Sequence, residues 1–271
     1  PHFMRNVRGG HKFGDFGVFD TLTNDGLIDA YNKKAMGYCA EKTAKEMGIT
    51  REKQDEFCVQ SYERMLKATE NGAVTKEIAP IDVPKVGKVA VDEEPQKFNK
   101  AKIPGLRPAF PDANKEGTVT GANASKLNDG ACALLVMSEQ AVSKSGLTPL
   151  IEIISFADAE TAPEDFNVCP AKAAQLALKK AGLSVKDIDF WEINEAFSLT
   201  VLANMQLLEL DRNRVNVHGG AVALGHPIGM SGARIMLSLT NVLTTYNGKY
   251  GCAVICNGGG GSTAIVVKNV A

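Results

Sequence analysis

A histidine and a cysteine stand in two glycine-rich stretches near the C-terminus, and both side chains can carry protons during catalysis. His226 lies in residues 216–232 (NVHGGAVALGHPIGMSG), and Cys256 lies in residues 252–262 (CAVICNGGGGS). Glycine destabilises regular helices and strands, so these stretches predict a backbone that turns sharply or lies close to a ligand. An imidazole and a thiol beside such a backbone could work as an acid/base pair.

Each candidate residue also has a purely structural interpretation. His226 precedes Pro227, which favours an extended backbone, and a helix predicted from Ser231 directs its amides toward this loop. The imidazole could donate a hydrogen bond to a developing oxyanion, or it could be a turn histidine that only the backbone satisfies. Cys256 ends an apolar strand and could face a cleft, although buried cysteines are commonly inert. Asn194 lies at a strand-to-helix junction, where asparagine is either a helix cap or a positioned site group.

Nucleotide and zinc sites are disfavoured. Gly220 and Gly225 have the spacing of a phosphate loop, but His-Pro follows them instead of Lys and Ser/Thr, and no G-x-G-x-x-G opens a helix after a strand. Cys252 and Cys256 would lie roughly 13 Å apart in an extended strand, too far for one tetrahedral zinc ion.

Composition indicates a globular protein. The chain has 271 residues, of which 44% are hydrophobic and 23% charged, enough for one large core or two domains. The formal net charge of −1 argues against nucleic acid as a partner and against adhesion to a membrane by charge. The six cysteines form no C-x-x-C pair and do not indicate a disulfide framework. No apolar run is long enough to span a bilayer.

Strands and helices alternate in the C-terminal half of the chain. Strands are predicted at 150–157, 188–193, 215–217 and on both sides of 257–261, and helices at 170–181, 196–210 and 231–246. This alternation predicts an α/β sheet that is covered by helices and closed by a hairpin.

The N-terminal half is less regular. Residues 1–30 are typical of an ordered loop or an assembly arm, and a domain boundary is predicted at Pro149. Further predictions are helices at 31–47, ended by Gly48, and at 51–71, capped by Thr50, a strand at 77–83, an irregular cationic segment at 85–115, a buried strand at 131–137 and a short helix ending near Gly146.

Three segments in this order resemble the thiolase family: residues 194–197 (NEAF), 219–234 (GGAVALGHPIGMSGAR) and 256–260 (CNGGG). The resemblance covers the whole chain and is strongest to the mitochondrial acetoacetyl-CoA thiolases of animals. It implies a layered αβαβα thiolase-like fold, of which this chain holds the C-terminal core half and the loop domain. The implied division is a loop domain at 1–115 with a tetramer-forming arm at 3–19, the end of the N-terminal core half at 116–147, and the C-terminal domain at 148–271.

The resemblance implies an acetyl-CoA C-acetyltransferase, which reversibly joins two acetyl-CoA into acetoacetyl-CoA and CoA in ketone-body, isoleucine and fatty-acid metabolism. His226 would activate a nucleophilic cysteine and then contribute its ring N–H to an oxyanion hole, which Asn194 completes through a water. Cys256 would move the proton at C2 of the acetyl group, with a thiol pKa near ambient pH. The backbone N–H of Gly258 would serve a second oxyanion hole.

The family's binding sites can be carried over in the same way. The CoA thioester would contact Tyr31, Lys97, Lys102 and Ser125. A potassium ion would bind the phenol of Tyr31 and oxygen ligands of Gly121, Ala122, Ala124 and Val222. The resemblance further implies a homotetramer in the mitochondrion, with no covalent cofactor and no nucleic-acid or membrane partner.

The nucleophile of the family is the main departure. It lies in an N-x-x-C-x-S-G segment upstream of residue 1, and none of the six cysteines here has that context. We therefore expect that this chain alone forms no acyl-enzyme. The alternative is a truncated, non-catalytic paralogue that binds CoA or associates with full-length subunits. A ketoacyl-synthase-like condensing enzyme is disfavoured, because that group uses two catalytic histidines.

Overall fold

The chain forms eight strands and seven α-helices in the computed structural model, which describes residues 1–112 and 115–271. The strands are β1 (His2–Met4), β2 (Val18–Asp20), β3 (Ile81–Val83), β4 (Gly87–Val89), β5 (Ile151–Glu160), β6 (Phe190–Ile193), β7 (Tyr250–Asn257) and β8 (Gly261–Asn269). The helices are α1 (Met36–Met47), α2 (Arg51–Glu70), α3 (Glu139–Ser145), α4 (Cys169–Ala181), α5 (Ser198–Leu208), α6 (Ala221–Leu224) and α7 (Ser231–Tyr246). Among these residues, no helix is both long enough and apolar enough to cross a membrane.

A mixed four-stranded sheet with the order β5-β8-β7-β6 organises the C-terminal half. β7 and β8 form the predicted hairpin, and β5 pairs antiparallel with β8. β6 runs parallel to β7, with Ile193 opposite Val254. Because parallel strands end at the same edge of a sheet, the residues that follow β6 and β7 lie close together.

Helices cover both faces of this sheet, and the alternation of side chains along β7 shows how. Cys252 and Val254 point to one face, where they pack with α4 and α5. Ala253 and Ile255 point to the other face, where they pack with α7. The period of two along a strand therefore produces the helix–sheet–helix layering, and the predicted α/β architecture is confirmed. Large side chains such as Trp191 are fully buried between the layers, and each such side chain contributes about 2 kcal/mol.

Helix ends follow the expected chemistry in α1 and α2. Gly48 ends α1 with a φ of 63°, and Thr50 caps α2 by accepting a hydrogen bond from Lys53 N. The prediction that α1 begins at residue 31 is wrong. Asp29 accepts hydrogen bonds from the amides of Tyr31 and Asn32 and so holds a turn in place of the first helical turn.

Three predicted strands differ from the structure. Residues 131–137 form no strand, and their side chains are largely open to solvent, with Leu135 at 79% exposure and Val136 at 72%. A buried strand needs paired neighbours, and the four-stranded sheet does not extend to this segment. Val215 makes only a single parallel bridge to Trp191. The strand predicted at 77–83 is reduced to β3, which pairs with β4.

Candidate active site

Four polar side chains meet where β6 ends, and two of them, Asn194 and His226, are predicted site residues. Asn194, the first residue after β6, lies with its Nδ2 3.2 Å from His226 Nε2. His226 Nδ1 lies 2.6 Å from the hydroxyl of Ser231, the first residue of α7. Arg234, one turn along α7, donates from Nη2 to Asn194 Oδ1 at 3.4 Å. The end of a strand and the start of a helix thus hold both sides of the imidazole.

The hydrogen bonds define which ring nitrogen carries the proton. The Ser231 hydroxyl donates to the carbonyl of Pro227 at 3.0 Å, so it accepts from His226 Nδ1–H. His226 Nε2 is then an acceptor, which fits the N–H donor of Asn194. Its lone pair is therefore available to take a proton from a thiol, and a proton gained there can be donated to an oxyanion.

Burial keeps this imidazole neutral. It lowers the pKa of His226 to about 4, and the positive charge of Arg234 acts in the same direction. A neutral ring at physiological pH is the form that a general base requires.

The depressed pKa of His226 should make the stability of the fold depend on pH. Between about pH 4 and pH 6.5 the unfolded chain binds a proton at this position that the folded chain does not bind. The free energy of unfolding should therefore rise with pH across this window, by up to about 3 kcal/mol, and level off above it. Urea unfolding of the wild type and of His226→Gln at several pH values isolates the effect. A difference between the two proteins that does not vary with pH would contradict the assignment.

Cys256 lies at the carboxyl end of β7, beside the strand that leads to Asn194. The amide of Asn194 donates to the carbonyl of Val254 at 2.9 Å, two residues before Cys256. The cysteine is buried and packs with Phe197 and Leu199 of the segment that follows Asn194. Burial raises the pKa of the Cys256 thiol to about 12, in contrast to the expected value near ambient pH. The resting group is therefore a thiol that holds a proton and can act as an acid.

The turn after Cys256 opens to solvent. Gly258 is exposed in the turn between β7 and β8, where an added Cβ would lie 3.4 Å from the sulfur of Met36. An open cleft of about 700 Å³ adjoins this turn and is lined by residues that include Tyr31, Thr161, Asn257 and Gly259. Tyr31 is 76% exposed in this cleft. A second cleft of about 370 Å³, around His218 and Tyr246, includes none of the predicted site residues.

The remaining residues predicted to contact CoA make no hydrogen bond or ion pair with His226 in the described part of the chain. Lys97 is exposed and forms an ion pair with Glu94 at 3.0 Å. Lys102 is exposed on a short helical turn, Lys100–Gly105. Ser125 is half-buried and donates to the carbonyl of Ala196 at 2.9 Å, so its hydroxyl ties its loop to the segment that follows Asn194.

A buried carboxylate joins three segments behind the site. Glu195 accepts from Ser61 Oγ of α2 at 2.7 Å, from Asn216 Nδ2 at 2.9 Å and from the amide of Val222 at 2.9 Å. Its side chain is fully buried. Gly220 has no room for a side chain because a Cβ would collide with this carboxylate. Glu195 therefore positions the loop that carries His226.

The glycine before the histidine has a specific role. Gly225 has a φ of 99°, and a Cβ there would collide with the side chain of Asn128. This is the sharp turn and close approach that the glycine-rich sequence predicts. The next amide, that of His226, then donates to the carbonyl of Lys126 at 2.9 Å.

The predicted potassium ligands do not fit a potassium ion. The carbonyls of Ala122, Ala124 and Val222 do converge, but they accept from the ammonium of Lys126, at 2.9, 3.3 and 3.1 Å. Tyr31 lies in the open cleft described above, and Gly121 is exposed. An ion at the point of convergence would have to displace a tethered positive charge. Among residues 1–112 and 115–271, no group of three or more His, Cys, Asp or Glu side chains could hold a metal ion either.

Sequence reasoning did not assign roles to Lys126, Glu195, Ser231 and Arg234. Ser231 had a usable signal, because it follows His226 by five residues and opens a helix. Lys126 also had one, because it lies two residues after Ala124, whose carbonyl was assigned to a cation. Glu195 gave no such signal, since its partners come from distant parts of the chain.

Comparison with known proteins identifies the family. The sequence models of the thiolase N-terminal and C-terminal domains match residues 1–140 and 147–269. The chain is 51% identical to a probable acetyl-CoA acetyltransferase of Dictyostelium discoideum, covering all of this chain and 66% of that protein. It is 48% identical to the mitochondrial acetyl-CoA acetyltransferase of Homo sapiens, covering all of this chain and 63% of that protein. The chain thus spans about two thirds of the length of these curated relatives.

Solved structures of thiolases have the same fold as this chain. The chain superposes along its whole length on the Acat5 thiolase of Ascaris suum in complex with coenzyme A, with a TM-score of 0.93, 43% identity and 69% of that chain covered. The human mitochondrial 3-ketoacyl-CoA thiolase gives a TM-score of 0.95 at 39% identity, with 68% of that chain covered. The fold is that of the thiolases, as expected. The chain belongs to the thiolase family.

Proposed function

We propose that this chain supplies the proton-transfer residues of an acetyl-CoA C-acetyltransferase. The reaction is the reversible condensation of two acetyl-CoA to acetoacetyl-CoA and CoA. The observation that carries the proposal is the hydrogen-bonded pair of Asn194 and a neutral His226 at the end of β6, beside the buried thiol at the end of β7. The names of the relatives support the same activity.

Each residue then has a defined task. His226 donates to the thioester oxygen once Nε2 has gained a proton, and Asn194 completes the oxyanion hole through a water, so that together they stabilise the negative charge that develops there. Cys256 exchanges the proton at C2: as thiolate it removes the proton before condensation, and as thiol it returns the proton in thiolysis. Gly258 offers its N–H to the oxygen of the second acyl group. The thioester substrate must lower the cost of ionising Cys256, because the thiol is protonated at rest.

Acyl transfer also requires a nucleophilic thiolate. None of the six cysteines has the N-x-x-C-x-S-G context, and burial raises the pKa of all six thiols. We propose that these 271 residues alone form no acyl-enzyme, while the proton transfer at C2 can still be measured on them.

The CoA site is proposed for the exposed cationic segment. Lys97 and Lys102 can approach the phosphates, and Ser125 and Tyr31 would lie along the pantetheine and acyl path. The complex of the Ascaris relative with coenzyme A supports this choice of ligand.

Assembly and location are proposed from weaker support. β1 and β2 pair as an arm on which Phe13 is 97% and Phe16 52% exposed, and a homotetramer would cover them. The human relative and the Danio rerio relative are both named mitochondrial, which supports that compartment. A role in ketone-body, isoleucine and fatty-acid metabolism is proposed from the family resemblance alone.

Exchange of the methyl hydrogens of acetyl-CoA with deuterated water tests the proposal, because it needs no nucleophile. We expect this chain to accelerate the exchange, and His226→Ala to slow it by about 100-fold through loss of an oxyanion donor. His218→Gln is the matched control, since His218 is a buried histidine that contacts Tyr246 outside the site. If the wild type binds CoA in calorimetry but gives no exchange, the non-catalytic paralogue is the correct interpretation.

A further inference from the structure

The ammonium group of Lys126 occupies the centre of a cradle of backbone oxygens. Its three N–H donors match the carbonyls of Ala122, Ala124 and Val222, at distances between 2.9 and 3.3 Å. The face of the Tyr62 ring lies 5.0 Å from Nζ and adds a cation–π contact. The group is thus fully coordinated by neutral oxygen and aromatic surface.

No carboxylate in the described part of the chain lies within ion-pair distance of Lys126. The nearest negative charges act only at a distance, from Glu94 and Glu195, and burial lowers the pKa of the lysine. Backbone dipoles therefore stabilise this charge, as they stabilise a bound monovalent cation. An alkali ion and an ammonium group each carry one positive charge, and both are stabilised by a set of convergent oxygen atoms.

The cradle connects the two loops that hold the catalytic histidine. Ala122 and Ala124 belong to the loop that ends at Lys126, and Val222 belongs to α6, which leads to His226. The carbonyl of Lys126 itself accepts from the amide of His226 at 2.9 Å. One residue therefore binds the neighbouring loop through its side chain and the histidine through its backbone.

We propose that Lys126 is a built-in monovalent cation that replaces potassium, so that the loops around His226 hold their arrangement in this chain without an alkali ion. The tether keeps the ammonium group in place whatever ions are in solution. This inference concerns the stability of the loops and does not depend on the proposed transferase activity.

Thermal unfolding in potassium chloride and in tetramethylammonium chloride, at equal ionic strength, tests the replacement. The wild type should unfold at the same temperature in both salts. Lys126→Ala removes the charge and leaves room for an ion, so its unfolding temperature should fall by roughly 5 °C in tetramethylammonium chloride and recover in potassium chloride. Lys126→Met fills the space without a charge, so it should be destabilised equally in both salts. Lys180→Ala removes a lysine that donates to one exposed carbonyl, and it controls for the loss of a surface charge.

Two outcomes would overturn the proposal. One is a saturable rise in the unfolding temperature of the wild type with potassium, which would show that an alkali ion binds despite Lys126. The other is a Lys126→Ala protein that is as stable as the wild type or gains nothing from potassium. If that variant does not fold, the potassium titration of the wild type still decides, because it requires no substitution.

Discussion

Replacing Cys256 with alanine is expected to slow the exchange of the acetyl-CoA methyl hydrogens by about 1000-fold, because it removes the group that carries the proton. The thiol ends β7 next to Asn194, and its raised pKa keeps a proton on the sulfur. Alanine leaves the oxyanion donors in place, so binding of CoA should persist while the exchange is lost. Nuclear magnetic resonance of the methyl signal gives the exchange rate, and calorimetry gives the affinity for CoA.

Cys252→Ala is the matched control for this experiment. Cys252 is fully buried on the same strand and the same face, four residues earlier, which places it roughly 13 Å from the site. Both substitutions remove one sulfur from a packed interior and should cost similar stability. Equal exchange rates in the two variants, or a Cys256→Ala protein as fast as the wild type, would refute the role of Cys256.

Replacing Glu195 with alanine is expected to lower the free energy of unfolding by about 4 kcal/mol. The carboxylate accepts from Ser61, Asn216 and the amide of Val222, and all three donors are buried with it. Alanine would leave these donors without their acceptor and would open a cavity beside Gly220. Urea unfolding at neutral pH measures the loss.

Substitutions of different size at position 195 separate the effect of the lost hydrogen bonds from that of the lost side-chain volume. Glu195→Gln keeps the size and can still accept from Ser61 and Val222, but its amide would face the Nδ2 donor of Asn216, so it should cost clearly less than alanine. Glu152→Ala, on the exposed side of β5, should change the stability little. Equal effects of alanine and glutamine at position 195 would contradict the assigned hydrogen bonds.

Much of the fold follows from local signals in the sequence. The apolar period and its end signals predict α7 at the bounds that the structure has, and Gly48 and Thr50 mark the ends of α1 and α2 because their caps depend on neighbouring residues. The hairpin of β7 and β8 is likewise local. For the site, the glycine-rich loops predict the close backbone at His226, and the end of β6 places Asn194 beside it.

The remaining features depend on residues that are distant in sequence. The apolar run at 131–137 matches a buried strand, but burial also requires neighbouring strands, which composition does not reveal. Asp29 overrides a helical pattern through two hydrogen bonds to its own turn. In the sequence Lys126 resembles a surface lysine, because its partner, the carbonyl of Val222, lies 96 residues later in the chain.

The hydrogen bonds behind the site also constrain the order in which the molecule folds. Ser61 and Glu195 are separated by 134 residues, and Arg64 reaches the carbonyl of Val215 across 151. Closing such long loops costs chain entropy before the long-range contacts can form and stabilise the fold. The α2 helix and the β7–β8 hairpin, in contrast, form from contacts between residues close in sequence. The helices and the hairpin can therefore form early, whereas the burial of the thiol and the position of the loop that carries His226 are completed only when α1 and α2 pack against α5 and α6. A partly folded chain holds both reactive groups but not the surroundings that set their protonation.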